Sequence, residues 1–84
     1  MYYIFYYDYC MYSQDALRLA KSMKVKHSKM NMEKLGGKDN VIRMLKEKGL
    51  MKKNNKHKTA PIIFKDDEFI GGYTEFKKIL QKGK

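Results

Sequence analysis

The chain has 84 residues, enough for one compact domain with a modest core. Its composition, 43% hydrophobic and 33% charged, excludes a disordered chain, and no apolar run approaches the roughly 20 residues that cross a bilayer. A surplus of 19 Lys+Arg over 9 Asp+Glu gives a net charge of +10, which draws anions without choosing among nucleic acid, acidic protein, anionic membrane and small carboxylates.

In chain order, Met1 to Asp8 lacks the basic n-region and small-residue cleavage site of a secretory signal, so cytoplasmic residence is expected. Tyr3-Ile4-Phe5-Tyr6-Tyr7 is aromatic and β-branched without a breaker, and suits a strand. From Ser13 to Met23 the period changes. Ala16, Leu19, Ala20 and Met23 recur at helical spacing, with Gln14, Asp15, Arg18 and Lys21 facing elsewhere. Val25 to Met30 is a weak strand, and Gly36-Gly37 marks a loop. Asp39 is placed to cap a second helix with the apolar face Val41, Ile42, Met44 and Leu45, ending near Gly49. Leu50 to Lys58 reads as an exposed, lysine-rich loop. Ile62-Ile63-Phe64 and Glu68-Phe69-Ile70 form a hairpin about Asp66-Asp67. Thr74 can cap a last helix carrying Phe76, Ile79 and Leu80. The order is β-α-β-α-β-β-α, in one domain spanning residues 1–84.

Cys10 is the only cysteine. It excludes a disulfide framework and a multi-cysteine metal site within one chain, leaving inert packing, a reactive thiol or a shared intermolecular ligand. A lone cysteine in a cytosolic chain is more often inert, but here it stands between a hydrophobic strand and an amphipathic helix. A helix N-terminus offers free backbone N–H groups and the positive end of the helix dipole, which favour thiolate over thiol. The thiolate is the species that attacks disulfides. Ser13, three residues on, is positioned to offer its hydroxyl to the sulfur. Two further landmarks follow: Thr59-Ala60-Pro61, with the only proline, before a strand, where a cis bond would turn the backbone outward, and Gly71-Gly72-Tyr73-Thr74-Glu75, whose amides would face an anion from a helix N-terminus.

With these three elements in this order, the chain resembles the glutaredoxins, a branch of the thioredoxin fold, over nearly its whole length from Tyr3 to about Leu80. Cys10-Met11-Tyr12-Ser13 stands where the family has C-P-Y-C or C-P-Y-S, Thr59-Ala60-Pro61 where it has T-V-P, and Gly71-Gly72-Tyr73-Thr74-Glu75 where it has G-G-x-[ST/D]-D. The resemblance implies an α/β thioredoxin-like (glutaredoxin) fold with a four-stranded mixed sheet flanked by helices. It implies catalysis by Cys10 with Ser13. It also implies glutathione binding, as co-substrate, by Tyr12, Lys58, Thr59, Ala60, Pro61, Gly72, Tyr73, Thr74 and Glu75. In detail, Ala60 would pair its backbone with the cysteinyl part of glutathione. Thr74 and Glu75 would take the γ-glutamyl end, and Lys58 or His57 the glycyl carboxylate. Three departures stand out: Tyr7 where the family often has a lysine, Met11 where it has a proline, and Glu75 where it has an aspartate.

The expected activity is reduction of glutathione mixed disulfides by a monothiol cycle, an electron-transport chemistry in which Ser13 cannot resolve the intermediate. The expected partners are glutathione and glutathionylated or disulfide-bonded proteins, with no specific nucleic acid, no membrane, no metal and a monomeric state. The alternative is an iron–sulfur carrier in which two chains each supply Cys10 and two glutathiones supply the other thiolates. A nucleic-acid role is disfavoured because the aromatics cluster in the first strand and the lysines around Lys46 to Lys58, whereas stacking readers interleave them. His27 and His57 have no acidic or cysteine partner at ligand spacing.

Overall fold

The computed structural model describes residues 1–82, so the last two residues of the expected domain lie outside the described residues. The aromatic N-terminal run forms β1, Tyr2–Tyr6. Its period-two alternation is used on both faces. Tyr2, Ile4 and Tyr6 join one apolar cluster, and Tyr3 and Phe5, with Tyr7 just beyond, join another. Both faces are covered because β1 is a central strand. It pairs parallel with β2, His27–Asn31, and antiparallel with β3, Ile62–Lys65. β4, Glu68–Gly71, adds antiparallel to β3, giving the mixed order β2-β1-β3-β4.

Among the described residues, three α-helices clothe this sheet, and a short 3-10 turn spans Glu33–Leu35. α1, Met11–Ser22, and α3, Tyr73–Lys82, share one side, where Ala16, Ala20, Phe76 and Leu80 close over Ile4 and Ile63. α2, Lys38–Glu47, lies on the other with Val41, Ile42 and Leu45 against Ile62 and Phe64. Full burial of a side chain such as Phe76 contributes about 1.5–3 kcal/mol.

Several boundaries differ from the sequence expectation, each for a local reason. The second strand begins at His27 rather than Val25, because α1 ends in a reversal at Lys24 (φ 56°) and Val25 N–H bonds back to Ala20. α2 is flanked by Gly37, and Asp39 sits inside its first turn, where its charge still suits the helix dipole. Likewise α3 starts at Tyr73. Gly72 carbonyl accepts its first helical bond, from Phe76 N–H at 3.0 Å, so Gly72 and not Thr74 is the flanking residue. Ile79 turns out to be 39% exposed rather than part of the buried face. The loop after α2 is not wholly solvated. Met51 is 2% exposed, Leu50 packs on the same cluster, and both N–H groups bond to Leu45 carbonyl, at 2.9 and 3.2 Å.

Candidate active site

The site begins where β1 ends. Cys10 N–H donates to Tyr7 carbonyl at 3.3 Å, closing a tight turn, and Cys10 carbonyl accepts the first α1 bond from Gln14 N–H at 3.1 Å. Cys10 is thus the residue flanking α1, in extended conformation (φ −93°, ψ 119°) and half-buried. Its side chain makes no cap bond to the first-turn amides of α1, which have no partners within the helix.

The sulfur's hydrogen-bond partner is the carbonyl of Ala60, at 3.7 Å. Ala60 precedes Pro61 through a cis peptide bond, and Pro61 is buried at the head of β3. Residues 50 apart in sequence therefore meet across the ends of two neighbouring strands.

Ser13 takes a different place from the one expected. It is fully buried, and its hydroxyl accepts Tyr7 N–H at 3.2 Å. Among the described residues no hydrogen bond joins it to the sulfur. It ties the end of β1 to α1, fixing the turn that carries Cys10.

A groove of about 390 Å³ opens beside Ala60, lined by Tyr12, His57, Thr59, Gly72, Tyr73, Thr74 and Glu75 as well as Ala60 itself. Three distant segments converge on it. Tyr12 and Tyr73 lie with ring centroids 6.3 Å apart. His57 is held by its backbone N–H on Asn55 Oδ1 at 2.8 Å, by Nε2 at 3.3 Å from Pro61 carbonyl, and by edge contact with Phe69. Lys58, expected at the site, is exposed and outside the lining, so the neighbouring His57 is the basic residue that reaches the groove.

Among the described residues, Glu75 is the one carboxylate in the lining. One of its oxygens accepts Gly72 N–H at 2.8 Å, the N3-to-cap half of a capping box. Gly71 makes this approach possible: at φ 133°, a Cβ there would lie 2.7 Å from Glu75 Oε1. Just before Cys10 in the chain, the Tyr7 and Tyr9 rings stack at 4.9 Å. Desolvation by its neighbours, and next the Tyr7 phenol, hold the Tyr9 phenol above its ordinary value.

No protein-family model matches the chain, and no curated protein matches it in sequence. Solved structures do. Buckwheat glutaredoxin in complex with glutathione aligns at TM-score 0.74 and 18% identity, over 98% of this chain and 69% of that one. A dithiolic glutaredoxin of Trypanosoma brucei brucei aligns at 0.76 and 21%, over 98% and 78%. E. coli glutaredoxin aligns at 0.67 and 26%, covering 98% of this chain and 94% of that one. The chain has the glutaredoxin fold. The β-α-β-α-β-β-α order and the four-stranded mixed sheet expected from the sequence are those of the glutaredoxin fold.

Tyr7 stands three residues before Cys10, where the sequence resemblance leads one to expect a lysine. Its hydroxyl accepts Lys38 N–H at the start of α2, so the position is spent on joining β1 to α2. Sequence reading had no signal for that bond, which spans 31 residues and depends on the register of the sheet. Tyr9 is an exposed aromatic directly before Cys10, a rim position that the sequence alone makes legible. His57 appeared only as an alternative to Lys58, since adjacent residues in a loop cannot be told apart by facing without a backbone.

Proposed function

We propose that the chain is a glutathione-dependent thiol–disulfide oxidoreductase working by a monothiol cycle through Cys10. The observation that carries this reading is the position of Cys10. Its sulfur lies at the N-terminus of α1 and 3.7 Å from the carbonyl of Ala60, a residue that lines a groove of about 390 Å³. That volume lies within the range of about 300–1,000 Å³ typical of small-ligand sites and suits a tripeptide.

In the proposed cycle, the Cys10 thiolate attacks the glutathionyl sulfur of a mixed disulfide. A new sulfur–sulfur bond forms to Cys10, the old one breaks, and the substrate leaves as a thiolate that takes a proton from water. A second glutathione thiolate then attacks the Cys10 mixed disulfide. Oxidised glutathione leaves and Cys10 is restored, so two glutathione sulfurs are joined as one substrate sulfur is reduced. Ser13 takes no covalent part; its role in this reading is to hold the Cys10 turn. The backbone at Ala60 aligns the cysteinyl portion. Thr74 and Glu75 receive the γ-glutamyl end, with the carboxylate facing its ammonium, and His57 is nearest the glycyl carboxylate. Tyr12, Thr59 and Tyr73 complete the walls, while Pro61 and Gly72 shape the backbone.

A glutathione-coupled assay on a small mixed disulfide tests the proposal. Turnover that disappears in Cys10→Ser supports it, and equal rates for the two proteins contradict it.

A further inference from the structure

The lysine-rich segment after α2 is absorbed by neither the core nor the groove. Lys46, Lys48, Lys52, Lys53, Lys56 and Lys58 fall between residues 46 and 58, where Glu47 is the only carboxylate. Glu47 is engaged by Arg43 at 3.6 Å, and among the described residues no ion pair involves any of these six lysines. All but Lys46 are exposed. Like charges at this density repel one another and oppose the compact state.

The segment is nonetheless pinned at both ends. Leu50 and Met51 anchor it through Leu45 carbonyl and the core beneath α2. Its other end is the Thr59-Ala60-Pro61 turn, whose Ala60 carbonyl meets the Cys10 sulfur. Lys56 and Lys58 bracket His57, which lines the groove, yet none of the six lysines does. A bound tripeptide would therefore leave them free. Around the thiol itself, Tyr9, Met11 and Tyr12 are 74%, 79% and 62% exposed, three large apolar side chains within two residues of Cys10. The chain thus carries an apolar rim beside the thiol in sequence and a basic array on the segment that leads into the turn meeting the thiol.

We propose that this array docks an acidic protein segment carrying an S-glutathionylated cysteine, whose apolar neighbours rest on Tyr9, Met11 and Tyr12. The inference rests on the oxidoreductase reading and names its substrate class. A polyanion such as nucleic acid matches the charge, but it brings no sulfur to Cys10. The chemistry is the exchange already written: the glutathionyl group passes to Cys10, the protein cysteine leaves as a thiolate, and glutathione is the reductant. Charge complementarity of this kind raises association rates by about 10- to 1,000-fold and fades with ionic strength.

The test uses two glutathionylated peptides, identical except for aspartates or lysines flanking the cysteine, and a small glutathione mixed disulfide as control. In parallel, fluorescence anisotropy follows a redox-inert acidic peptide with serine in place of cysteine, which reads binding without turnover. The wild-type chain is expected to favour the acidic peptide in kcat/KM by about tenfold or more at low salt. Lys52→Gln/Lys53→Gln/Lys56→Gln should cut that preference, its salt dependence and inert-peptide binding several-fold, leaving the small disulfide unchanged. Equal kcat/KM for the two peptides, or a preference and binding untouched by the triple substitution, overturns the proposal. So does tighter competition by a single-stranded oligonucleotide of matched charge. Failure of the wild-type chain on the small disulfide strikes the oxidoreductase reading instead, and anisotropy then still decides whether the acidic segment docks.

Discussion

Ser13 hydroxyl accepts the backbone N–H of Tyr7 at 3.2 Å, six residues upstream, and both lie beneath the turn that presents Cys10. The bond makes Ser13 the clasp of that turn. Ser13→Ala removes the partner of a part-buried N–H and should destabilise the fold by about 1–3 kcal/mol in denaturant titrations. Because the sulfur bonds to Ala60 rather than to Ser13, the glutathione adduct should still form on the folded variant. A loss of adduct at unchanged stability would show that the hydroxyl acts on the thiol.

Tyr7 joins β1 to α2 through its hydroxyl. Tyr7→Phe keeps the stack on Tyr9 and loses the hydroxyl that accepts Lys38 N–H, with an expected cost of about 0.5–1.5 kcal/mol in thermal or denaturant unfolding. Tyr7→Lys should lose stability too but react faster with an alkylating agent, because a nearby cation favours thiolate. An unchanged alkylation rate would argue that the dipole and amides of α1 already suffice.

Glu75 carries two separable duties, capping α3 and presenting charge to the groove. Glu75→Gln retains an acceptor for Gly72 N–H, so stability should hold while KM for glutathione rises several-fold. Glu75→Ala should raise KM similarly and also lower stability by about 1 kcal/mol. Kinetics and unfolding measured on both variants distinguish the duties.

Gly71 has no substitute of similar size. A methyl group there meets Glu75 at 2.7 Å, in a backbone conformation (φ 133°) that side chains rarely adopt. Gly71→Ala should destabilise by about 1–3 kcal/mol and raise KM for glutathione by displacing Glu75. Denaturant midpoints and steady-state kinetics check this together.

Most of the fold was legible because its signals are local. The breaker-free aromatic run, the helical spacing of Ala16 and Ala20 and the hairpin about Asp66-Asp67 each fix an element from a few neighbours. What escaped depends on distant partners. Met51 lies among lysines and reads as solvated, yet it is drawn into the core by backbone bonds to Leu45. The spacing of Ser13 offers its hydroxyl to the sulfur, whereas the turn closing β1 onto α1 directs it to Tyr7. Spacing within the lysine loop left Lys58 and His57 indistinguishable, and the contact of His57 with Phe69 and Pro61 decides which faces the groove.

The central claim is that Cys10 accepts glutathione. Intact mass after incubation with oxidised glutathione tests it most directly. The account predicts one glutathione adduct on the wild-type chain, removed by added glutathione and absent from Cys10→Ser. A wild-type chain that acquires no adduct, or a Cys10→Ser variant that acquires one, would contradict it.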